Sequence, residues 1–190
     1  VRLSATASTD LNKVARVFVL GIDPGLSRCG YGAVRQGSGN RRQPVAEAAG
    51  VLSTPLDEVR ARRLAELQHD FRVLVAELRP DVVAIERVLF QRNVATAMSV
   101  GEAVGVVLAE SAAAGCEVVE YSPNEIKQAV AGWGGASKEE VAEMVKVLLG
   151  LRNLLSPPDA ADAVAVALCH LAIVGPSNAA SRLVSASRSA

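Results

Sequence analysis

The stretch that decides the fold is Val17-Phe18-Val19-Leu20-Gly21-Ile22-Asp23-Pro24-Gly25. An apolar run this continuous reads as a strand covered on both faces. Pro24-Gly25 stops it and turns the chain. Asp23 is left at the strand's mouth, where an acid is costly unless it is solvated, paired or bound to a cation. The pattern recurs at Asp81-Val82-Val83-Ala84-Ile85-Glu86, a second buried strand that also finishes in an acid. A helical segment separates the two, so they read as parallel neighbours joined by a crossover. Adjacent strands lie about 4.8 Å apart, which places Asp23 and Glu86 at one end of one sheet, close enough to share a cation.

Working outward, Gly30–Val34 and Val45–Leu52 read as two further strands. Short polar connections make them an antiparallel meander with the first. Ser53-Thr54-Pro55 reads as the start of a helix, with a hydroxyl cap and Pro in the first turn. Leu64, Leu67, Phe71, Leu74 and Leu78 give that helix one apolar stripe, and Arg60, Arg62 and Arg63 fall on other faces as a solvated surface. Val94–Ala114 reads as a second helix, rich in small residues. Gly101 and Gly105, four apart, suit either internal packing or a helix–helix dimer seam. Val118–Tyr121 is a fifth strand. Ser122-Pro123-Asn124 caps a short helix to about Ala131, and Gly132-Trp133-Gly134-Gly135-Ala136 is a loop holding the only Trp. Ser137 with Glu140 forms a capping box for a helix lined by Val141, Met144, Val145 and Leu148, with Gly150 as its stop. After Ser156-Pro157-Pro158 a last helix runs from Asp159 to about Val174. The organisation is a leader over residues 1–15 that stays disordered, one domain over 16–174 and a frayed tail over 175–190.

The bulk numbers agree. At 190 residues, 50% of them hydrophobic, the chain suffices for one sizeable domain. Formal net charge is zero, so any polyanion contact must come from a local basic patch. Aromatic residues are only 3%, too few for a stacking platform built from several rings. Cys29, Cys116 and Cys169 are scattered without metal-ligand spacing and read as small core residues of a reducing cytosol. No apolar stretch reads as long and clean enough to span a bilayer, and the N-terminus lacks the apolar core of a signal peptide. The expected location is cytoplasmic.

Asp159 and Asp162 stand three apart in the first turn of the last helix, so they share a face, and the helix dipole favours their ionised forms. Singly, each is an ordinary N-terminal acid. Together with Asp23 and Glu86 they make four mutually repelling carboxylates, which hold protons unless cations neutralise them. Oxygen-only ligation suits Mg²⁺ or Mn²⁺, and a pair of such ions is the usual apparatus of phosphoryl cleavage.

Four segments carry a family resemblance: GIDPGLSRCGYG, AIERVLFQRN, the SPNEIKQAV…GASKEEV region and DAADAVAVALCH. In this order they resemble the successive motifs of the RuvC family of Holliday-junction endonucleases, over about residues 16–172. The resemblance implies an α/β, ribonuclease-H-like fold: a five-stranded mixed sheet with helices on both faces. It also implies a homodimer that nicks four-way DNA junctions symmetrically, using two Mg²⁺ or Mn²⁺ ions per active site, in partnership with the RuvA-RuvB branch-migration complex. The family's acids fall on Asp23, Glu86, Asp159 and Asp162, and its phosphate-contacting lysines resemble Lys127 and Lys138. Arg87 and Arg92 flank the site as further phosphate contacts. Phe90, one position later than the aromatic of some relatives, is a ring that could hold a junction base unstacked, core packing being its alternative. Trp133 replaces a usually smaller residue and is placed either to stack on DNA or to fold back on the domain. Two rival readings share part of the pattern. An actin- or sugar-kinase-type phosphotransferase also opens on a GIDxG-like hairpin, but it needs a second hairpin and an adenosine loop that are missing here. A non-cleaving junction-binding protein of the same fold would be signalled by loss of one acid, and all four are present.

Overall fold

The computed structural model describes residues 17–37, 43–87 and 94–186, without the side chains of 94–96 and 176–186. The leader, Phe90 and Arg92 lie outside the described residues. The chain runs β1 (Phe18–Asp23), β2 (Arg28–Arg35), β3 (Val45–Ser53), α1 (Arg60–Leu78), β4 (Val82–Glu86), α2 (Val94–Ala113), β5 (Glu117–Tyr121), α3 (Pro123–Ala131), α4 (Lys138–Leu149) and α5 (Pro158–Ala186). The strands form one five-stranded sheet in the order β3-β2-β1-β4-β5. β1–β2 and β2–β3 are antiparallel; β1–β4 and β4–β5 are parallel. This is the mixed sheet that the two acid-tipped strands predict, with β1 and β4 adjacent.

Strand periodicity then decides which face each residue serves. Val17 just before β1, Val19 of β1, Val82 and Ala84 of β4, and Tyr121 of β5 pack with α3, α4 and α5. Phe18, Leu20 and Ile22, with Val83 and Ile85, pack on the opposite face against Leu67, Phe71 and Val75 of α1 and Ala103 and Val107 of α2. Central strands must therefore be apolar at every position, which is why β1 and β4 read as unbroken runs. β3, at the edge, alternates half-buried and exposed positions.

α5 lies directly on the sheet. Gly21 and its cross-strand partner Gly32, together with Gly30, form a strip without side chains beneath it. A Cβ at Gly21 would run into the Ala163 carbonyl, one at Gly30 into the Asp159 carbonyl and one at Gly32 into Val164. The absence of Cβ atoms brings the helix backbone onto the strands, and this close approach sets where the first turn of α5 points.

Three expectations need correction. Ser53-Thr54-Pro55 does not cap α1, which begins at Arg60 behind Val59 with no side-chain cap. The Thr54 hydroxyl instead donates to the Leu26 carbonyl at 2.6 Å, so the cap-forming group is spent on tying two loops together. Arg63 is not merely solvated: it donates to Thr54 Oγ1 at 3.1 Å and to Ser27 Oγ at 2.6 Å. And one helix does meet the length and apolarity of a membrane span, Pro158–Gly175, with mean hydropathy 1.4. Its residues are 61% buried within the fold, so it is a core helix. That first segment of α5 ends at Gly175 (φ 60°, ψ 167°), where Pro176 disfavours helical geometry in the residue before it. Past this break the backbone is again helical to Ala186. The boxes at Ser122/Glu125 and Ser137/Glu140 and the left-handed Gly150 stop are as the sequence indicates.

Candidate active site

The site follows from the two-residue period. Asp23 continues the phase of Val17, Val19 and Gly21, and Glu86 that of Val82 and Ala84, so both acids point to the face covered by α5. Ile22 pairs with Ile85 in the parallel register, which puts Asp23 and Glu86 one step further along at the same end of the sheet. Asp162, one turn into α5, meets them from above, and Asp159 sits at the rim over Gly30. A cleft of about 70 Å³ is lined by Glu86, Ile126, Lys127, Lys138, Val141 and Asp162. A larger hollow of about 650 Å³ lies at the far end of the sheet, between the C-terminal ends of α1 and α2. The acid there, Glu110, is clamped by both Arg72 Nε and Nη2 at 2.8 Å and is the one carboxylate among the described residues lining the hollow.

The electrostatics separate two inner acids from two outer ones. Burial, then the charge of Asp162, pushes the Asp23 carboxyl up to about 6, with Lys138 opposing and Asp159 adding to the rise. Burial, then Asp23 and Asp162, pushes Glu86 up to about 7 against Lys138 and Lys127. Asp159 is held below the usual carboxylate range by its hydrogen bond from Arg28, whose Nη2 and Nε reach its Oδ2 at 2.7 and 3.1 Å. Asp162 accepts from Lys138 Nζ at 2.7 Å. Lys138 occupies the first position of α4, where a cation opposes the helix dipole. The acids of the cluster outweigh that penalty and hold the Lys138 ammonium above its ordinary value, the Asp162 bond contributing most.

The four acids expected from sequence therefore converge, with Lys127 and Lys138 beside them. Their chemistry fits a hard divalent cation: all donors are oxygen, and their mutual repulsion is what a cation relieves. Among the described residues no three acid, His or Cys side chains stand close enough to share one ion. Asp159 and Asp162 each turn an oxygen to a base instead. Arg87 follows Glu86 on the surface, its backbone N–H donating to the Tyr121 carbonyl at 2.7 Å. Trp133 is 53% exposed, its ring lying over Gly135. Sequence reasoning missed Arg28. The available signal was its phase: Arg28 alternates with Gly30 and Gly32 and so belongs to the α5 face. It missed also the buried contact at 2.8 Å between the Tyr121 hydroxyl and His170 Nδ1, which ties β5 to α5 behind the site. Cys29 and Cys169 are buried thiols pushed up to about 12, chiefly by burial, consistent with core roles.

Comparison with known proteins agrees. The family model described as crossover junction endodeoxyribonuclease RuvC matches residues 19–170. The RuvC of Heliobacterium modesticaldum is 47% identical over 153 residues, 80% of this chain and 93% of that protein. The RuvC of Moorella thermoacetica is 46% identical over 154 residues, 81% of this chain and 90% of that protein. The Thermus thermophilus RuvC structure superposes with TM-score 0.77 at 36% identity, covering 83% of this chain and 95% of that one. The same protein in complex with Holliday junction substrate gives 0.78 at 35% identity, covering 85% and 97%. A ribonuclease-H-like sheet with its acids gathered under α5, and this extent of identity, lead to one conclusion: the chain belongs to the RuvC family of crossover junction endodeoxyribonucleases.

Proposed function

We propose that this chain resolves four-way (Holliday) DNA junctions by paired symmetric nicks, hydrolysing phosphodiesters to a 5′-phosphate and a 3′-hydroxyl. The observation that carries the reading is the convergence of four carboxylates at one end of the sheet, two of them pushed up to about 6 and about 7. Asp23, Glu86, Asp159 and Asp162 would hold the cations, two Mg²⁺ or Mn²⁺ ions per site. The chemistry that bound ions would supply there is Lewis-acid activation of a water and charge stabilisation at the leaving oxygen. The chain's own residues do the rest. Lys127 and Lys138 neutralise the phosphate that enters the cleft, and Arg87 and Arg92 extend the contact along the backbone. Phe90 and Trp133 supply rings for unstacked or exposed bases at the crossover.

The approximate two-fold symmetry of a four-way junction calls for an isologous dimer. Gly101 and Gly105 on α2 support this: among the described residues a Cβ at either would meet no atom of another element within 4 Å, which leaves room for a second copy at this face. Such an enzyme acts in the cytoplasm, following the RuvA-RuvB branch-migration complex. The test is nicking of a synthetic mobile four-way junction against linear duplex, with Mg²⁺, with Mn²⁺ and with chelator. Paired, symmetric cuts confined to the junction and abolished by chelator are expected. Equal cutting of the duplex, or cutting in chelator, would overturn the reading.

A further inference from the structure

We propose that Arg28 is a positioning residue that couples cation binding to DNA binding, holding Asp159 in the free protein and releasing it when a backbone phosphate takes the guanidinium. The inference rests on the reading of the four acids as cation ligands.

Three observations lead to it. Arg28 directs two N–H groups, Nε at 3.1 Å and Nη2 at 2.7 Å, to a single oxygen of Asp159. A cation that needs this carboxylate must compete with both donors. Second, the acids converge without forming a chelate: among the described residues no three can share an ion. The two that are engaged, Asp159 by Arg28 and Asp162 by Lys138, are those that α5 brings to the site. Third, the Arg28 side chain is 50% exposed and Asp159 29%, so the pair stands at the solvent-facing rim of the acid cluster, within reach of an incoming phosphate. Arg72 and Glu110 show the contrast. There the carboxylate is only 10% exposed and both its oxygens are engaged, a pair built to stay closed.

A phosphate is the natural competitor for Arg28. It carries full charge and accepts from guanidinium in the same forked geometry as a carboxylate. Once DNA draws Arg28 off, Asp159 is a freer ligand, and binding of one partner favours the other. Linkage makes the coupling reciprocal: DNA tightens cation binding by the factor by which the cation tightens DNA binding. The competing reading is that Arg28 only braces α5 against β2. The two differ in sign. A brace, when removed, loosens Asp159 and weakens cation binding; a competitor, when removed, strengthens it.

The experiment measures Mn²⁺ affinity calorimetrically, alone and with a short linear duplex, which the proposed function leaves uncut. Arg28→Met keeps the stem and removes the charge, Arg28→Lys keeps the charge, and Arg28→Ala serves as a second neutral variant if Arg28→Met misfolds. For the natural chain, duplex should tighten Mn²⁺ binding about 1.5- to fivefold, the range for one charge pair at a half-exposed rim. Arg28→Met should bind Mn²⁺ tighter by a similar factor without DNA, and the gain from duplex should shrink accordingly. Arg28→Lys should stay near the natural chain. Unchanged or weaker Mn²⁺ binding by Arg28→Met overturns the inference and leaves the acid site standing. Failure of the natural chain to bind Mn²⁺ with or without DNA overturns the acid site itself.

Discussion

Replacing Asp23 by Asn should make the metal-free protein more stable while abolishing cleavage. The site holds this carboxyl at about 6 instead of 3.8, which corresponds to about 3 kcal/mol of destabilisation once it is ionised in the folded state. Asp23 is partly open to water and shares its repulsion with Asp159 and Asp162, so a realistic gain at pH 8 is about 1–3 kcal/mol, or about 3–10 °C in Tm for a chain of this size. The sign follows from linkage. A carboxyl raised on folding binds its proton more tightly in the native state, so its stability contribution is complete below pH 3.8. That contribution is lost as pH rises toward about 6, and Glu86, raised to about 7, extends the window. In chelator, the natural chain should therefore lose stability between about pH 4 and 7, and Asp23→Asn should lose less. The two melting curves should converge at pH 4 and separate by pH 8. Adding Mn²⁺ should raise the natural chain's Tm at pH 8 and the variant's much less. If Asp23→Asn melts lower than the natural chain at pH 8 in chelator, or if the difference is flat with pH, the account of charge repulsion at this strand end is refuted.

Other perturbations probe the parts that build the site. Asp162→Asn should retain junction binding in a mobility shift yet lose most nicking, since ligand charge goes with little change of shape; full cleavage by this variant would remove Asp162 from the site. Gly30→Ala, which drives a methyl into the Asp159 carbonyl, should cost about 3 kcal/mol and slow nicking even where the protein is still folded, because α5 can no longer seat its first turn. Tyr121→Phe removes the hydroxyl bonded to His170 and should cost about 1 kcal/mol by denaturant titration. At the far end of the molecule, Arg72 holds Glu110 down to about 2. That pair stabilises the fold above pH 4.5 and its contribution fades as pH falls through about 2. Glu110→Gln should flatten this part of the acid unfolding curve without changing nicking.

What the sequence reveals and what it conceals divide along physical lines. β1 and β4 are legible because a strand buried on both faces must be apolar at every position, and an acid at its end is then conspicuous. The caps at Ser122 and Ser137 are legible because they satisfy N–H groups within a few residues of themselves. Thr54 misleads because its hydroxyl has two possible customers, the next helix and the Leu26 carbonyl 28 residues earlier, and only the tertiary fold chooses. Arg28 stays hidden for the same reason. Its phase with Gly30 and Gly32 marks the face it serves, but its partner Asp159 lies 131 residues away, and nothing local to Ser27-Arg28-Cys29 names that partner. The Pro158–Gly175 part of α5 meets the length and apolarity of a membrane span, against the expectation from sequence, and its burial under the sheet is what makes it a core helix.

The placement of the acids also explains why the fold can carry them. Asp23 and Glu86 sit at the ends of the two strands buried on both faces, so the apolar burial that opposes their ionisation also holds their backbones rigid. A loop would let the carboxylates drift apart and relieve their repulsion, and with it the affinity for a cation. β1 and β4 cannot yield in this way, because Leu20, Ile22, Val83 and Ile85 are fully buried behind them and the parallel register fixes their relative height. α5 closes the arrangement only because Gly21, Gly30 and Gly32 admit its backbone. The repulsion is thus retained in the folded state rather than relaxed, at a cost in stability that cation binding repays. A variant that widened the α5–β2 spacing without touching any acid, such as Gly32→Ala, should therefore lower the Asp23 and Glu86 pKa values and weaken Mn²⁺ binding together. Carbon-13 NMR titration of the carboxylates, read beside Mn²⁺ calorimetry, checks the pair. Values for Asp23 and Glu86 still near 6 and 7 alongside weakened binding would show that spacing acts on the metal by some route other than stored repulsion.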